Sequence, residues 1–401
     1  MTASSRIEAH LAALTRWPAG RPVGSPANHT AEAHIAAALE AAGYEVERQT
    51  FDCVDWRLDS VELWVDGAAL PVVANPYSPA ANVSAPVVAA STYEELAAAE
   101  LTGRIAVLHG DLSAGALFPR NYPFFTVEEH VRLIDLLLAH RPAAVVMVSH
   151  ATENPAPLIE DGDFALPSVT VPAGGGGALR QAAGPVTLQL RTTAAPGRAA
   201  NVIGRRAAAA RDKLVLCAHF DTKPGTPGAL DNAAGVAAVL ALAEQLAARP
   251  PDTNVEIVAF NGEDHYAAPG EMAYIAACGS DFGRIALLIN VDGVGLRGQP
   301  ATVAFFNCPA EWADQARALI ARQDSIEESE PWPEGDHSVF AMQGVACLAV
   351  TSGAIHTLID DVIHTPADTL DLVDTARIAE TVEFLGDLVK EIGLPRKATD
   401  R

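Results

Sequence analysis

The second half of this 401-residue chain alternates short, unbroken apolar runs with helix-length segments, and few folds accept that pattern. Leu214–Ala218, Val255–Phe260, Ile285–Val291 and Ala346–Val350 read as strands. Asn232–Ala248, Glu271–Cys278, Trp312–Arg322 and Ala376–Ile392 read as helices set among them. A strand with one face in water alternates apolar with polar residues; these do not, so both faces must be covered. The helices supply that cover. The expected fold is α/β, with a mostly parallel or mixed central sheet sandwiched between helices.

Two helical stretches, Ser4–Leu14 and Thr30–Ala42, come first, and Gly43 stops the second. Glu45–Trp56 and Val61–Val65 then read as strands. Around Asn75–Pro86 the composition shifts, and Ile105–His109, Ala143–Ser149 and Ser168–Val171 read as strands around one clear helix, Val127–Ala139. Gly174–Gly177 follows no phosphate-loop pattern and reads as a loop, and Arg191–Arg198 as a connector. The expected organisation is a discontinuous domain, residues 1–75 and 197–401, interrupted by a β-rich insert of residues 76–196.

Composition excludes several functions. Fifty acidic against 27 basic side chains leave a net charge of −23, which repels phosphate backbones and anionic lipid, so neither nucleic acid nor membrane is an expected partner. The five cysteines are scattered with no CxxC pair, so buried free thiols are expected rather than disulfides or a thiolate metal site. The first residues carry charges where a signal peptide has an apolar stretch, and no apolar run is expected to reach the roughly 20 residues that cross a bilayer. A cytoplasmic location is the expectation.

Chemistry-bearing residues gather at the strand ends. Leu214–Ala218 runs into His219 and Asp221, Val255–Phe260 into Glu263 and Asp264, and Ile285–Val291 into Asp292. Asp231 precedes an apolar helix, where a carboxylate suits the N-terminus, and His364 follows the last strand. Ligands of open α/β sheets sit beyond the carboxyl ends of the strands. So many carboxylates in one crevice repel one another, and a pair of divalent cations removes that repulsion. Imidazole and carboxylate without thiolate suit Zn²⁺, and less well Mn²⁺ or Co²⁺.

On these residues the sequence resembles the M28 zinc aminopeptidases with an inserted protease-associated (PA) domain. The resemblance lies in Ala200–Gly204, Cys217–Asp221, Ala229–Gly235, Phe260–Asp264, Asn290–Asp292, Gly335–Phe340 and His364–Asp368, with PA-like stretches at Leu101–His109 and Ala143–His150. It implies a zinc-exopeptidase-like fold and a peptide substrate with a free N-terminus. By the same resemblance, His219 and Asp292 hold one Zn²⁺, Asp264 and His364 a second, and Asp231 bridges both. Glu263 is then the general base toward a bridging water, and Asp221 orients the His219 ring. His364 is preferred to His356 because the His-Thr-Pro-x-Asp pattern belongs to it.

The chain departs from the family in having Glu263-Asp264 for Glu-Glu, and His265 to Glu271 for the usual Gly-Leu-x-Gly-Ser segment. His265, Asp336 and His337 are candidates for substrate contact or for supporting the site. Competing readings are a carboxypeptidase-like, amidohydrolase or glutaminyl-cyclase-like reaction on the same residues, and a metal-free binding protein. A carboxypeptidase needs a cation for the substrate carboxylate, and only Lys223, Arg284 and Arg297 lie near the motifs.

Overall fold

The structure, a computed structural model, describes residues 3–123, 125–208, 210, 212–248, 254–358 and 362–392. By contacts the chain divides into two compact units, Met1–Cys53 with Arg198–Leu358 and Asp368–Arg401, and Val54–Gly197 with Ile359–Ala367. The first boundary therefore falls at 53/54 and not at 75/76, and residues 359–367 group with the second unit. The sequence reading followed a shift in composition, whereas the chain changes unit inside two 21-residue strands, Glu45–Val65 and Val186–Arg206, where no such shift occurs. The expected break after Trp56 and the Arg191–Arg198 connector both lie within these strands.

In the first unit the strand order is Ile326–Glu328, Ala301–Phe306, Cys347–Ser352, Ile285–Val291, Lys213–His219, Asn254–Phe260, then Val186–Arg206 and Glu45–Val65 through their residues in this unit. Lys213–His219 lies at the centre and pairs in parallel with Asn254–Phe260 and Ile285–Val291, and the latter in parallel with Cys347–Ser352. Ala301–Phe306 runs antiparallel to Cys347–Ser352 and parallel to Ile326–Glu328, and Val186–Arg206 runs antiparallel to Asn254–Phe260, which makes the sheet mixed.

The unbroken apolar runs are indeed buried on both faces: Leu214, Leu216, Ile257, Leu288 and Ile289 are fully inside. Each such side chain contributes about 1.5–3 kcal/mol by leaving water. Helix Gly235–Ala247 is buried from Gly235 to Ala243 and packs with Ala3–Leu14 and Thr375–Ile392. The helical stretch Ala229–Ala247 is, against expectation, long and apolar enough to cross a membrane, but most of it is buried in this core.

The second unit carries a five-stranded sheet in the order Val73–Ala74, Ser168–Val171, Ala144–Val148, Ile105–Leu108, Val87–Ala90, parallel except for the first strand. The four-glycine run is not a loop: it lies in helix Ala173–Arg180. Glycine is a poor helix former, yet a Cβ on Gly176 would stand 2.7 Å from Val148 Cγ1, so close helix-to-strand packing overrides propensity.

The first two helices meet at a histidine pair, with His10 Nδ1 3.0 Å from His34 Nε2. Burial above all, then His34 and Arg6, pushes His10 down to about 4; burial and Arg16 also lower His34. Above pH 6.5 both rings are neutral folded or unfolded, so they add no pH dependence there. Below it the unfolded chain binds protons that the folded one refuses, and stability falls toward pH 4. Urea unfolding of the metal-free protein at about pH 7.5 and about pH 5 should show a smaller loss for His10→Gln than for wild type. An equal loss would refute this account of the pair.

Candidate metal centre

Because the central strands are parallel, their carboxyl ends share one edge of the sheet, and the register sets His219 beside Phe260. His219 ends its strand, Asn261–Asp264 leave the next, and Asp292 follows Ile285–Val291. Gly262 makes the turn possible: its φ of 134° is open to glycine, and a Cβ there would meet Pro269 Cδ at 2.7 Å.

The side chains converge. His219 Nε2 lies 3.0 Å from Asp231 Oδ1 and 3.6 Å from Asp292 Oδ2, while Nδ1 lies 3.6 Å from Asp221 Oδ1. His219, Asp231 and Asp264 each present a ligand atom within 4.8 Å of the others. The His219 ring is buried, and neither nitrogen makes a well-directed hydrogen bond among the described residues. Oxygen and nitrogen lone pairs at these distances, not aligned along an N–H, suit donors around a cation better than a hydrogen-bonded pair. The chemistry of the set, imidazole and carboxylate, fits zinc.

The backbone around the site is held by other carboxylates. Asp221 is fully buried and accepts the N–H of Gly262 at 2.7 Å and of Asp264 at 3.1 Å, so it ties the second strand's loop to the first. Asp368 does the same for Asp231, accepting from Leu230 at 2.8 Å and Asp231 at 3.0 Å. Asp231 is not the helix cap that the sequence suggested. That role falls to Asn232, whose Oδ1 accepts from Gly235 at 2.9 Å and whose Nδ2 donates to Val291. The Asp231–Asn232 peptide is cis.

Charge is the defining property of the cluster. Burial alone would neutralise His219, yet Asp292, Asp221 and Asp231 raise its pKa well above the ordinary value. Burial pushes Glu263 well above the carboxylate range, and Asp264, Asp292 and Asp231 add to it against the opposing His219. Asp292 is raised by burial and then by Asp231 and Asp264, with His219 opposing. The pocket therefore holds on to protons when no cation is present, as a site built for positive charge must.

The remaining sequence candidates divide. His364 groups with the second unit, in a left-handed conformation with φ of 62°, its Nδ1 3.8 Å from Glu160 Oε1. His265 is buried, stacks on Tyr266, and is pushed down to about 3 by burial and then Lys223, so it is a neutral imidazole. His337 is engaged at both ring nitrogens, 3.0 Å from the Trp332 carbonyl and 3.4 Å from Asn290 Nδ2. Asp336 and Glu271 are both fully buried, and none of their carboxyl oxygens has a hydrogen-bond partner among the described residues, which disfavours two anions side by side. Burial lifts Glu271 to about 7, and burial with the Glu271 charge lifts Asp336 well above the usual carboxylate range. The rival His356 is exposed beside Trp332. Lys223 is buried, its N–H donating to Asp264 Oδ2 at 3.1 Å.

Sequence reasoning gave no role to Glu271 or to Asp368. The signal for Asp368 was in plain view, in the His-Thr-Pro-x-Asp pattern; none pointed to Glu271.

Residues 201–389 match the model of Peptidase family M28. Over that stretch the chain is similar to the M28 peptidases. Its fold agrees: a zinc aminopeptidase from Bacillus subtilis superposes with a TM-score of 0.80 at 20% identity, over 99% of this chain and 96% of that one. A glutaminyl cyclase of Porphyromonas gingivalis shares the fold more loosely, with a TM-score of 0.53 at 14% identity over 97% of each chain. In sequence, the Mycobacterium tuberculosis protein named Probable lipoprotein aminopeptidase LpqL is 27% identical over 290 residues, 68% of this chain and 54% of that protein. The chain spans about half the length of the curated relatives it matches, 54% in this case and 40% for aminopeptidase YwaD of Bacillus subtilis.

In this matched stretch, Asp221→Asn turns an acceptor of two main-chain N–H groups into an amide that can satisfy only one of them. The variant should lose about 1.5–3 kcal/mol of stability in urea unfolding with chelator present, as for hydrogen bonds to a buried charge. Unchanged stability would show that Asp221 does not hold the two loops together.

Proposed function

We propose that this chain is a co-catalytic dizinc metallopeptidase, an aminopeptidase that removes N-terminal residues from peptides. The observation that carries the reading is the convergence of His219, Asp264 and Asp292, from the ends of three adjacent parallel strands, with Asp231 from the segment Ala229–Ala234, around an imidazole whose nitrogens lack directed hydrogen bonds among the described residues. The M28 match and the aminopeptidase names of the relatives support it.

His219, Asp231 and Asp292 would hold one zinc ion, and Asp231, Asp264 and His364 the other. Zinc supplies Lewis acidity at the scissile carbonyl and makes a hydroxide available near neutral pH. Glu263 takes a proton from the attacking water and delivers it to the leaving amine. Asp221 keeps the His219 ring oriented through Nδ1 and fixes the Glu263 loop through Gly262 and Asp264. Asp264 is one methylene shorter than the family's Glu, and its main chain is drawn in by Asp221 while its Oδ2 takes the Lys223 N–H. The second unit is read as a PA-like domain on the strength of Leu101–His109 and Ala143–His150.

The test combines metal analysis with hydrolysis of aminoacyl anilides. Exhaustive chelation should abolish turnover, Zn²⁺ should restore it, and N-acetylated substrates should be refused. Glu263→Gln should keep its metal and lose about 10²–10⁴-fold in kcat. Full activity of the chelated enzyme or of Glu263→Gln would overturn the mechanism. Cyclisation of an N-terminal glutaminyl peptide, or release of a C-terminal residue, would replace the aminopeptidase reading with the corresponding one.

A further inference from the structure

We propose that Arg21 is a positioning residue of the metal centre: through main-chain carbonyls and Asn28 it sets the spacing of the two loops that carry His219, Asp231 and Asp264. The inference rests on the metallopeptidase reading above and adds to it a segment outside every motif.

Arg21 lies in the Pro- and Gly-rich stretch between the first two helices and is fully buried. Its Nε donates to the Phe220 carbonyl at 2.8 Å. Nη1 donates to Leu14 at 2.8 Å and Pro227 at 2.7 Å, and Nη2 to Gly228 at 3.1 Å. Its main-chain N–H donates to Thr222 Oγ1 at 2.8 Å. These bonds grip the loop at both ends. Phe220 lies between His219 and Asp221, and Gly228 comes shortly before Asp231.

The second loop is reached through one neighbour. Asn28, at the start of helix Pro26–Ala41, donates to the Arg21 carbonyl at 3.1 Å. Its amide pairs both ways with the Asn261 amide, at 2.8 and 3.0 Å. Asn261 leads directly into Gly262, Glu263 and Asp264.

A guanidinium suits this task. It is a rigid, planar fork that donates in several fixed directions, whereas an ammonium is a point charge with three donors on a flexible stem. All four guanidinium hydrogen bonds go to main-chain carbonyls, so the group shapes the backbone without occupying a ligand oxygen. Its charge also sits within the field of Asp368, Asp221, Asp231 and Asp264, where it offsets their mutual repulsion.

The test reads metal binding rather than turnover. Full-length wild type, Arg21→Lys, Asn28→Ala and Thr30→Ala, an exposed position on the same helix, are stripped and titrated with Co²⁺. Affinity is followed by chelator competition and ligand geometry by the visible absorption of bound Co²⁺. Arg21→Lys keeps the charge and loses the fork. It should bind Co²⁺ about 10- to 100-fold more weakly, with a changed spectrum. Asn28→Ala, which removes the three side-chain hydrogen bonds linking Arg21 to Asn261, should lose about fivefold, and Thr30→Ala nothing.

Wild-type affinity and spectrum in Arg21→Lys would overturn the proposal. So would a variant that is only less stable, since that marks a purely structural residue. If Arg21→Lys does not fold, Asn28→Ala decides alone, and wild-type behaviour there is the overturning result. A wild type that binds Co²⁺ yet hydrolyses nothing would sink the peptidase reading and leave Arg21 judged by its variants. A wild type that binds no Co²⁺ would sink both.

Discussion

Five carboxyl groups, Asp221, Asp231, Glu263, Asp264 and Asp292, are gathered about one buried imidazole, and the rest of the first unit can be understood as what makes that gathering tolerable. Charges of like sign a few ångströms apart in a medium poorer than water in dielectric response repel by several kcal/mol. Two remedies are visible. Main-chain N–H groups are aimed at Asp221 and Asp368, which removes part of the burden locally. A positive charge at the centre would remove the rest, and the raised proton affinity of His219 and Glu263 points the same way.

The sheet solves the geometric half of the problem. Parallel pairing of Lys213–His219 with its two neighbours places three loops on one edge at adjacent strand spacing. Rigid, fully buried strands then carry the ligands on short extensions, so little conformational freedom is left to lose when a cation binds. Behind this front stands a further layer, the Glu271–Asp336 carboxyl pair and His337 held between Trp332 and Asn290. Neutral imidazole and a retained proton let these polar groups sit in the interior without adding to the charge in front of them.

The parts legible in the sequence share one property: their meaning is local. An apolar run ending in His-x-Asp or Glu-Asp can be read because strand and side chain adjoin, and the central strands, the helix Gly235–Ala247 and the convergence of His219, Asp231, Asp264 and Asp292 followed from such signals. What escaped was settled by distant partners. Ala301–Phe306 and Ile326–Glu328 are strands because Cys347–Ser352 offers an edge to continue. Gly174–Gly177 is helical because Val148 leaves room for nothing larger at Gly176. Arg21 acts through carbonyls, which every residue has, so no pattern of residue types could announce it. The capping role passed from Asp231 to Asn232 for a similar reason: which oxygen meets the Gly235 N–H depends on the turn, not on the composition of the turn.

One consequence of the Arg21 contacts concerns time rather than space. Arg21 and Thr222 are 201 residues apart, and Asn28 and Asn261 are 233 apart. The segment that secures the ligand loops is made before them, and its guanidinium stays hydrated while the whole intervening stretch is made. Contacts this remote in sequence form slowly, because a long loop must close before any of them is rewarded. During synthesis the first two helices are thus an unfinished half of a lock, and a chain truncated before His219 would carry them with neither ligand loop to fasten.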